Sequence, residues 1–341
     1  MKCWHWQDYR LASVKVFVVS VLLLSAAAAQ NPQPTTDDDP IKVDTLLINI
    51  PVVVSDSDGR FIGGLKKEDF IIRLDGRKQE IEYFADSEAP VSVAIILDLS
   101  GSTRPYLRAI KDAANAFVDK LNRADQAAII TFNQFNRLDV VSRLTSDRKK
   151  LSGRINSLGN AFSSGLPRSS KEIYPDLYDA IYLAMTNELA GVRGRKAIIV
   201  LTDGFVTGRS VTAKVFDDTI IEGDTVIYPV MFVTRQHVGR DKTSISRAEP
   251  FALPVTIALD QIASKTGGRL IVASKGTDFK SSFQAVGDEL RKQYILGFQP
   301  SDTDNLKERK IALSVSNPAL KVRSKNIIRL KKVGETPAVP K

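Results

Sequence analysis

From Val91 onward, short apolar runs alternate with stretches in which apolar residues recur every three or four positions. Val91–Leu97, Ala127–Phe132, Ala197–Leu201, Val226–Val233 and Arg269–Ala273 are runs of strand length, the pattern of strands buried on both faces. Between them, Ile110, Ala114, Phe117 and Leu121 share one face of a helix, and Phe279, Phe283, Val286 and Leu290 share another. Strands alternating with helices predict an α/β fold with a mostly parallel sheet covered on both faces. Gly267-Gly268 fits a helix C-terminal turn leading into the last of these strands.

On either side of this region the pattern is that of β structure alone. Val43–Val54 is rich in β-branched residues and ends at Ser55-Asp56-Ser57-Asp58-Gly59. Phe70–Leu74 and Gln79–Phe84 flank Asp75-Gly76, a strong short-range hairpin signal. Asp56-x-Asp58-Gly59 shares the start of a calcium loop but lacks its later oxygen ligands and terminal Glu, so it reads as a turn. After Leu290, three more strands are predicted at Gln293–Phe298, Arg309–Val315 and Lys321–Leu330. A three-stranded tail alone would leave awkward edges. The N- and C-terminal strands are therefore expected to form one β-sandwich in which the α/β domain is inserted, or which flanks it. The expected organisation is a signal peptide (1–29), a polar leader (30–40), an N-terminal β segment (41–88), the α/β domain (89–291), a C-terminal β segment (292–331) and a tail (332–341).

Composition bounds the class. At 341 residues, 43% hydrophobic and 26% charged, the chain has room for about two packed domains and is not of disordered, collagenous or disulfide-scaffold type. The N-terminus reads as a secretory signal, with basic Lys2, Arg10 and Lys15, an apolar Val16–Leu24 and small residues at Ala26–Ala29. Cleavage there removes Cys3 and His5, leaving no cysteine and His237 as the one histidine. The product is expected to be exported, to the periplasm or outside the cell, with no membrane span after cleavage. The formal charge of +9 permits acidic partners. Its basic clusters (Arg148-Lys149-Lys150, Arg193–Lys196, Arg329–Lys332) are dispersed and read as solvated faces, so no nucleic-acid partner is expected.

Ligands of parallel sheets bind at the carboxyl ends of strands. Two such ends carry oxygen-rich sequences: Asp98-Leu99-Ser100-Gly101-Ser102-Thr103 and Thr202-Asp203-Gly204. The D-x-S-x-S spacing lets one tight loop aim a carboxylate and two hydroxyls at one point, with Asp203 approaching from another strand. Hard oxygen ligands suit Mg²⁺, Mn²⁺ or Ca²⁺ better than zinc. Asp98 and Ser100 could alternatively only cap the next helix.

These two motifs resemble the metal-ion-dependent adhesion site of the von Willebrand factor type A domain. The resemblance extends to bacterial secreted proteins called VWFA-related. Gly64-Leu65-Lys66-Lys67-Glu68-Asp69-Phe70, Ala263-Ser264-Lys265-Thr266-Gly267-Gly268-Arg269 and Glu289-Leu290-Arg291-Lys292-Gln293-Tyr294 are similar to that family's patterns, and together they span about residues 41–330. It implies a Rossmann-like domain that holds a divalent cation, Mg²⁺ above Mn²⁺ or Ca²⁺, through Asp98, Ser100, Ser102 and Asp203. It further implies that a protein partner's Asp or Glu completes the coordination. One position departs from the pattern. The family usually has a metal-binding Thr two residues before Leu-Tyr-Asp-Ala; here Pro175 precedes Asp176 and Leu177-Tyr178-Asp179-Ala180. Proline offers no side-chain oxygen. Asp176, Ser169 and Ser170 are the substitutes within reach in sequence, and the alternative is a site that binds metal weakly or not at all.

Catalysis is not expected. Ser100 and Ser102 lack a partner base, His237 lies in a polar stretch, and neither a G-x-S-x-G elbow nor a phosphate-binding loop occurs. The function expected is a non-enzymatic, cation-dependent adhesion or interaction module. Its alternative is a metal-independent structural or assembly protein, with a hydrolase a distant third. The polar segment 160–175 beside the proposed site is a candidate for shaping partner choice.

Overall fold

The computed structural model describes residues 47–86, 89–133, 137–159, 176–204, 210–232, 255–273, 278–300 and 308–329. The signal, the leader, the tail, Ser169, Ser170, Pro175 and His237 lie outside the described residues.

The central sheet has the strand order β10-β9-β8-β5-β6-β7. These are β5 (Val91–Asp98), β6 (Gln126–Asn133), β7 (Arg137–Thr145), β8 (Arg195–Thr202), β9 (Thr225–Phe232) and β10 (Ile271–Ala273). All neighbours are parallel except β6 and β7. β5 and β9 are buried along their whole length, as expected of strands covered on both sides.

Helices α1 (Leu107–Asp119), α2 (Arg148–Ser157) and α6 (Phe279–Leu290) cover one face; α3 (Leu177–Leu183), α4 (Ala213–Glu222) and α5 (Val255–Thr266) cover the other. The two apolar clusters use alternate residues of the same strands. Val93, Ile95 and Leu97 face α1 and α6, while Ala94 and Ile96 face α3 and α4. The two helical faces read from the sequence are those that pack, with Phe117 edge-on to Phe283 at 6.1 Å.

The flanking strands form two further sheets, ordered β13-β1-β11-β4 and β14-β12-β2-β3. They comprise β1 (Ile48–Ser55), β2 (Phe70–Leu74), β3 (Arg77–Gln79), β4 (Tyr83–Ala85), β11 (Tyr294–Phe298), β12 (Glu308–Val315), β13 (Lys321–Ser324) and β14 (Ile327–Arg329). β1 pairs antiparallel with β11, and β2 with β12, so strands from both ends of the chain interleave. One core joins the two sheets, drawing Ile50 and Val52 from β1, Ile72 and Leu74 from β2, Leu296 and Phe298 from β11 and Ile311 from β12. The arrangement is a β-sandwich.

Three details differ from the sequence reading. β7 is an additional antiparallel strand that no apolar run announced. The run Gln79–Phe84 is divided between β3 and β4, and the run Lys321–Leu330 between β13 and β14. Both divided runs are corners where the chain leaves one sheet for the other, so each half meets a different partner. The Asp75-Gly76 hairpin forms as expected, with φ of +47° and +82°, the left-handed pair a two-residue turn between β2 and β3 requires.

Candidate functional site

β5 delivers Asp98 to its carboxyl end, fully buried. The chain then turns sharply. Asp98 Oδ1 accepts from Ser100 N at 2.9 Å, and Ser100 Oγ lies 2.9 Å from Ser102 Oγ. Thr103, also fully buried, donates its hydroxyl to the carbonyls of Asp98 (2.8 Å) and Ser100 (2.9 Å). The turn is thus tied from beneath, leaving Ser100 buried at its rim and Ser102 half-buried.

β8 runs parallel beside β5, with Leu201 opposite Leu97. This register brings the end of β8 to Asp98. Thr202 Oγ1 donates to Asp98 Oδ2 at 2.8 Å, and Gly204 N donates to Thr202 Oγ1 at 2.9 Å. Asp203 follows, fully buried. Gly204 has φ +82°, and a Cβ there would meet Val255 Cγ1 at 2.2 Å, so close packing on α5 and a left-handed backbone both require glycine.

Asp98, Ser100, Ser102 and Asp203 therefore gather at neighbouring strand ends. Burial lifts the Asp98 pKa from 3.8 to about 6, and the charge of Asp203 adds to the rise. Two buried carboxylates at neighbouring strand ends, with two hydroxyls beside them, form an oxygen-only donor set. That chemistry fits a hard divalent cation, whose charge would offset both the desolvation and the mutual repulsion. Among the described residues, no three His, Cys, Asp or Glu side chains converge as a metal-holding group; the set here has two carboxylates and relies on hydroxyls.

Asp176 stands at the N-cap of α3. Its Oδ1 accepts from Tyr178 N at 2.7 Å and Asp179 N at 3.4 Å, completing a capping box in which Asp179 Oδ2 accepts from Asp176 N at 3.0 Å. This gives Asp176 a structural task in α3. The supporting hydroxyls of Thr103 and Thr202 went unassigned in the sequence, although both lie inside the motifs that pointed to the site. A hydroxyl adjoining a strand-end Asp was the available signal.

Residues 92–241 match the von Willebrand factor type A domain. No curated protein matches the chain. Among solved structures, the chain resembles BatB, a conserved hypothetical protein from Bacteroides thetaiotaomicron, at 21% identity over 59% of this chain and 97% of that one (TM-score 0.42). It resembles proximal thread matrix protein 1 from the mussel byssus at 16% identity over 67% and 50% of the two chains (TM-score 0.45). A von Willebrand factor type A structure from Catenulispora acidiphila is 12% identical over 85% and 76% (TM-score 0.43). No helix among the described residues is long and apolar enough to cross a membrane.

Proposed function

From the match of residues 92–241 to the von Willebrand factor type A domain, we propose that the chain is an exported, non-enzymatic interaction module that recognises a protein partner through a divalent cation. The observation that carries this reading is the buried pair Asp98 and Asp203, side by side at the ends of β5 and β8 with the hydroxyls of Ser100 and Ser102 adjoining. These four residues would hold the cation, with Mg²⁺ foremost and Mn²⁺ or Ca²⁺ as the other hard ions that fit. The bound ion would supply a positive centre for a carboxylate from outside.

The protein's own groups prepare that centre. Thr202 holds the Asp98 carboxylate on one side and Ser100 N on the other, so the ligand is oriented before any cation arrives. A partner's Asp or Glu then gains charge attraction in a partly desolvated crevice, and no bond is broken. The overall positive charge of the chain favours acidic partners in the same direction.

Pro175 favours a second reading, a metal-independent structural or assembly protein, because it removes the oxygen that the family's Thr supplies. Calorimetric titration of the chelator-stripped protein with Mg²⁺, Mn²⁺ and Ca²⁺ separates the two. Cation binding at or below millimolar concentration, lost in Asp98→Ala, is expected. No heat at millimolar cation, together with an unchanged melting curve, would select the second reading.

A further inference from the structure

Asp179 lies in the first turn of α3 and is 5% exposed. Its carboxylate accepts from the backbone of two separate segments. Oδ1 takes Ser210 N at 3.0 Å and Val211 N at 2.8 Å; Oδ2 takes Ser210 N at 2.9 Å and Asp176 N at 3.0 Å. Charged acceptors make the stronger hydrogen bonds, and a buried carboxylate needs such donors. A helix cap needs the Asp176 N–H alone. The two N–H groups of residues 210 and 211 belong to the chain that leaves β8 through Asp203 and Gly204, and they gain nothing for α3.

That chain is consequently fixed at two points. On the near side, Thr202 is bound to Asp98 and to Gly204 N. On the far side, Ser210 and Val211 are bound to Asp179. Asp203 sits between the two attachments, next to Thr202 and seven positions before Ser210.

We propose that Asp179 is a positioning residue: it holds the far end of the strand-end loop on α3 and thereby sets where Asp203 stands relative to Asp98. The inference deepens the cation-site reading and rests on it. Asp179 touches neither the cation nor the partner in this role; it acts through Ser210 and Val211. Asparagine keeps its shape but replaces one acceptor oxygen with an NH₂ that faces N–H donors, so Asp179→Asn breaks part of the clamp without opening a cavity.

The test has two readouts on the full chain. In the first, Mn²⁺ affinity of wild type, Asp179→Asn and Asp179→Ala is measured calorimetrically, well below each protein's chelator-treated melting midpoint. A 10- to 100-fold weaker Kd in folded variants is expected, the loss usual when groups that orient metal ligands are removed. Wild-type affinity in both folded variants overturns the proposal. In the second, amide hydrogen exchange is followed in chelator. Slow exchange at Ser210 and Val211 in wild type, accelerated in Asp179→Asn, is expected; fast exchange there in wild type overturns the clamp even when neither variant folds. Absence of Mn²⁺ binding by the wild type would instead defeat the cation-site reading, and the exchange result would then decide the clamp by itself.

Discussion

Asp98 is the residue at which burial, charge and function meet. Its pKa stands at about 6 in the folded protein against 3.8 as a free group, chiefly because burial penalises the anion and further because Asp203 is charged. The folded chain therefore holds this proton more tightly than the unfolded chain does. Below pH 3.8 both states are protonated and the site costs no stability. As pH rises through 6 the unfolded state gains from ionising first, so stability falls. At 1.36 kcal/mol per pKa unit the loss is on the order of 3 kcal/mol. Urea unfolding in chelator, compared between pH 4 and pH 7, should show that decline, and Asp98→Asn should flatten it. Equal pH dependence in the two proteins would contradict the assignment. Bound cation reverses the argument, because protons and metal compete for one carboxylate. Below pH 6, Mn²⁺ affinity is expected to weaken by about tenfold for each pH unit.

At the scale of elements, what the sequence revealed and what it concealed follow from how local each signal is. β5, β6, β8 and β9 were legible because two-sided burial leaves unbroken apolar runs. α1 and α6 were legible because each buries one stripe. β7 was not, since its sequence RLDVVSRLT mixes charges into an edge strand that is covered unevenly. The corners at residues 80–82 and 325–326 were hidden because sheet exchange depends on partners distant in sequence. The site shows the same division: Asp98, Ser100, Ser102 and Asp203 stand in short motifs, whereas the bonds of Asp179 to Ser210 and Val211 span more than thirty positions and carry no local mark. Arg195 is another such residue. It opens β8, is 3% exposed, and donates to the carbonyls of Ala89, just before β5, and of Leu290, the last residue of α6. Arg195→Met would leave the buried Leu290 carbonyl and the half-buried Ala89 carbonyl short of a donor. A loss of about 2–4 kcal/mol in chemical unfolding is expected, with Mn²⁺ affinity unchanged because β8 carries its ligand at the opposite end.

At the scale of the molecule, the sandwich is assembled from sequence segments more than two hundred residues apart, so neither half can form its sheets alone. Polar ties bind it to the α/β domain. The buried Glu289 accepts from Arg269 Nε at 2.8 Å and is paired with Arg323; Lys325 donates to the Gly223 carbonyl at 2.8 Å beyond the end of α4; Arg329 pairs with Asp218 of α4. Arg323 comes from β13, Arg329 from β14 and Lys325 from the turn between them. Deleting residues 308–341 removes β12, the neighbour that β2 needs on its open side, along with the buried Ile311, Val315 and Ile328 and all three basic ties. The remaining β2–β3 hairpin has no third strand, and a lone hairpin is marginal in water. Amide exchange in residues 47–86 and 294–298 should therefore rise to near the unfolded rate in the shortened chain. The strands of the central sheet should stay protected, because their two apolar clusters draw almost wholly on residues before 291. Mn²⁺ binding should persist, since every proposed ligand precedes the deletion. Undiminished protection of residues 47–86 would mean that the N-terminal strands fold without their C-terminal partners, and the nested sandwich would then be an arrangement without cooperative consequence.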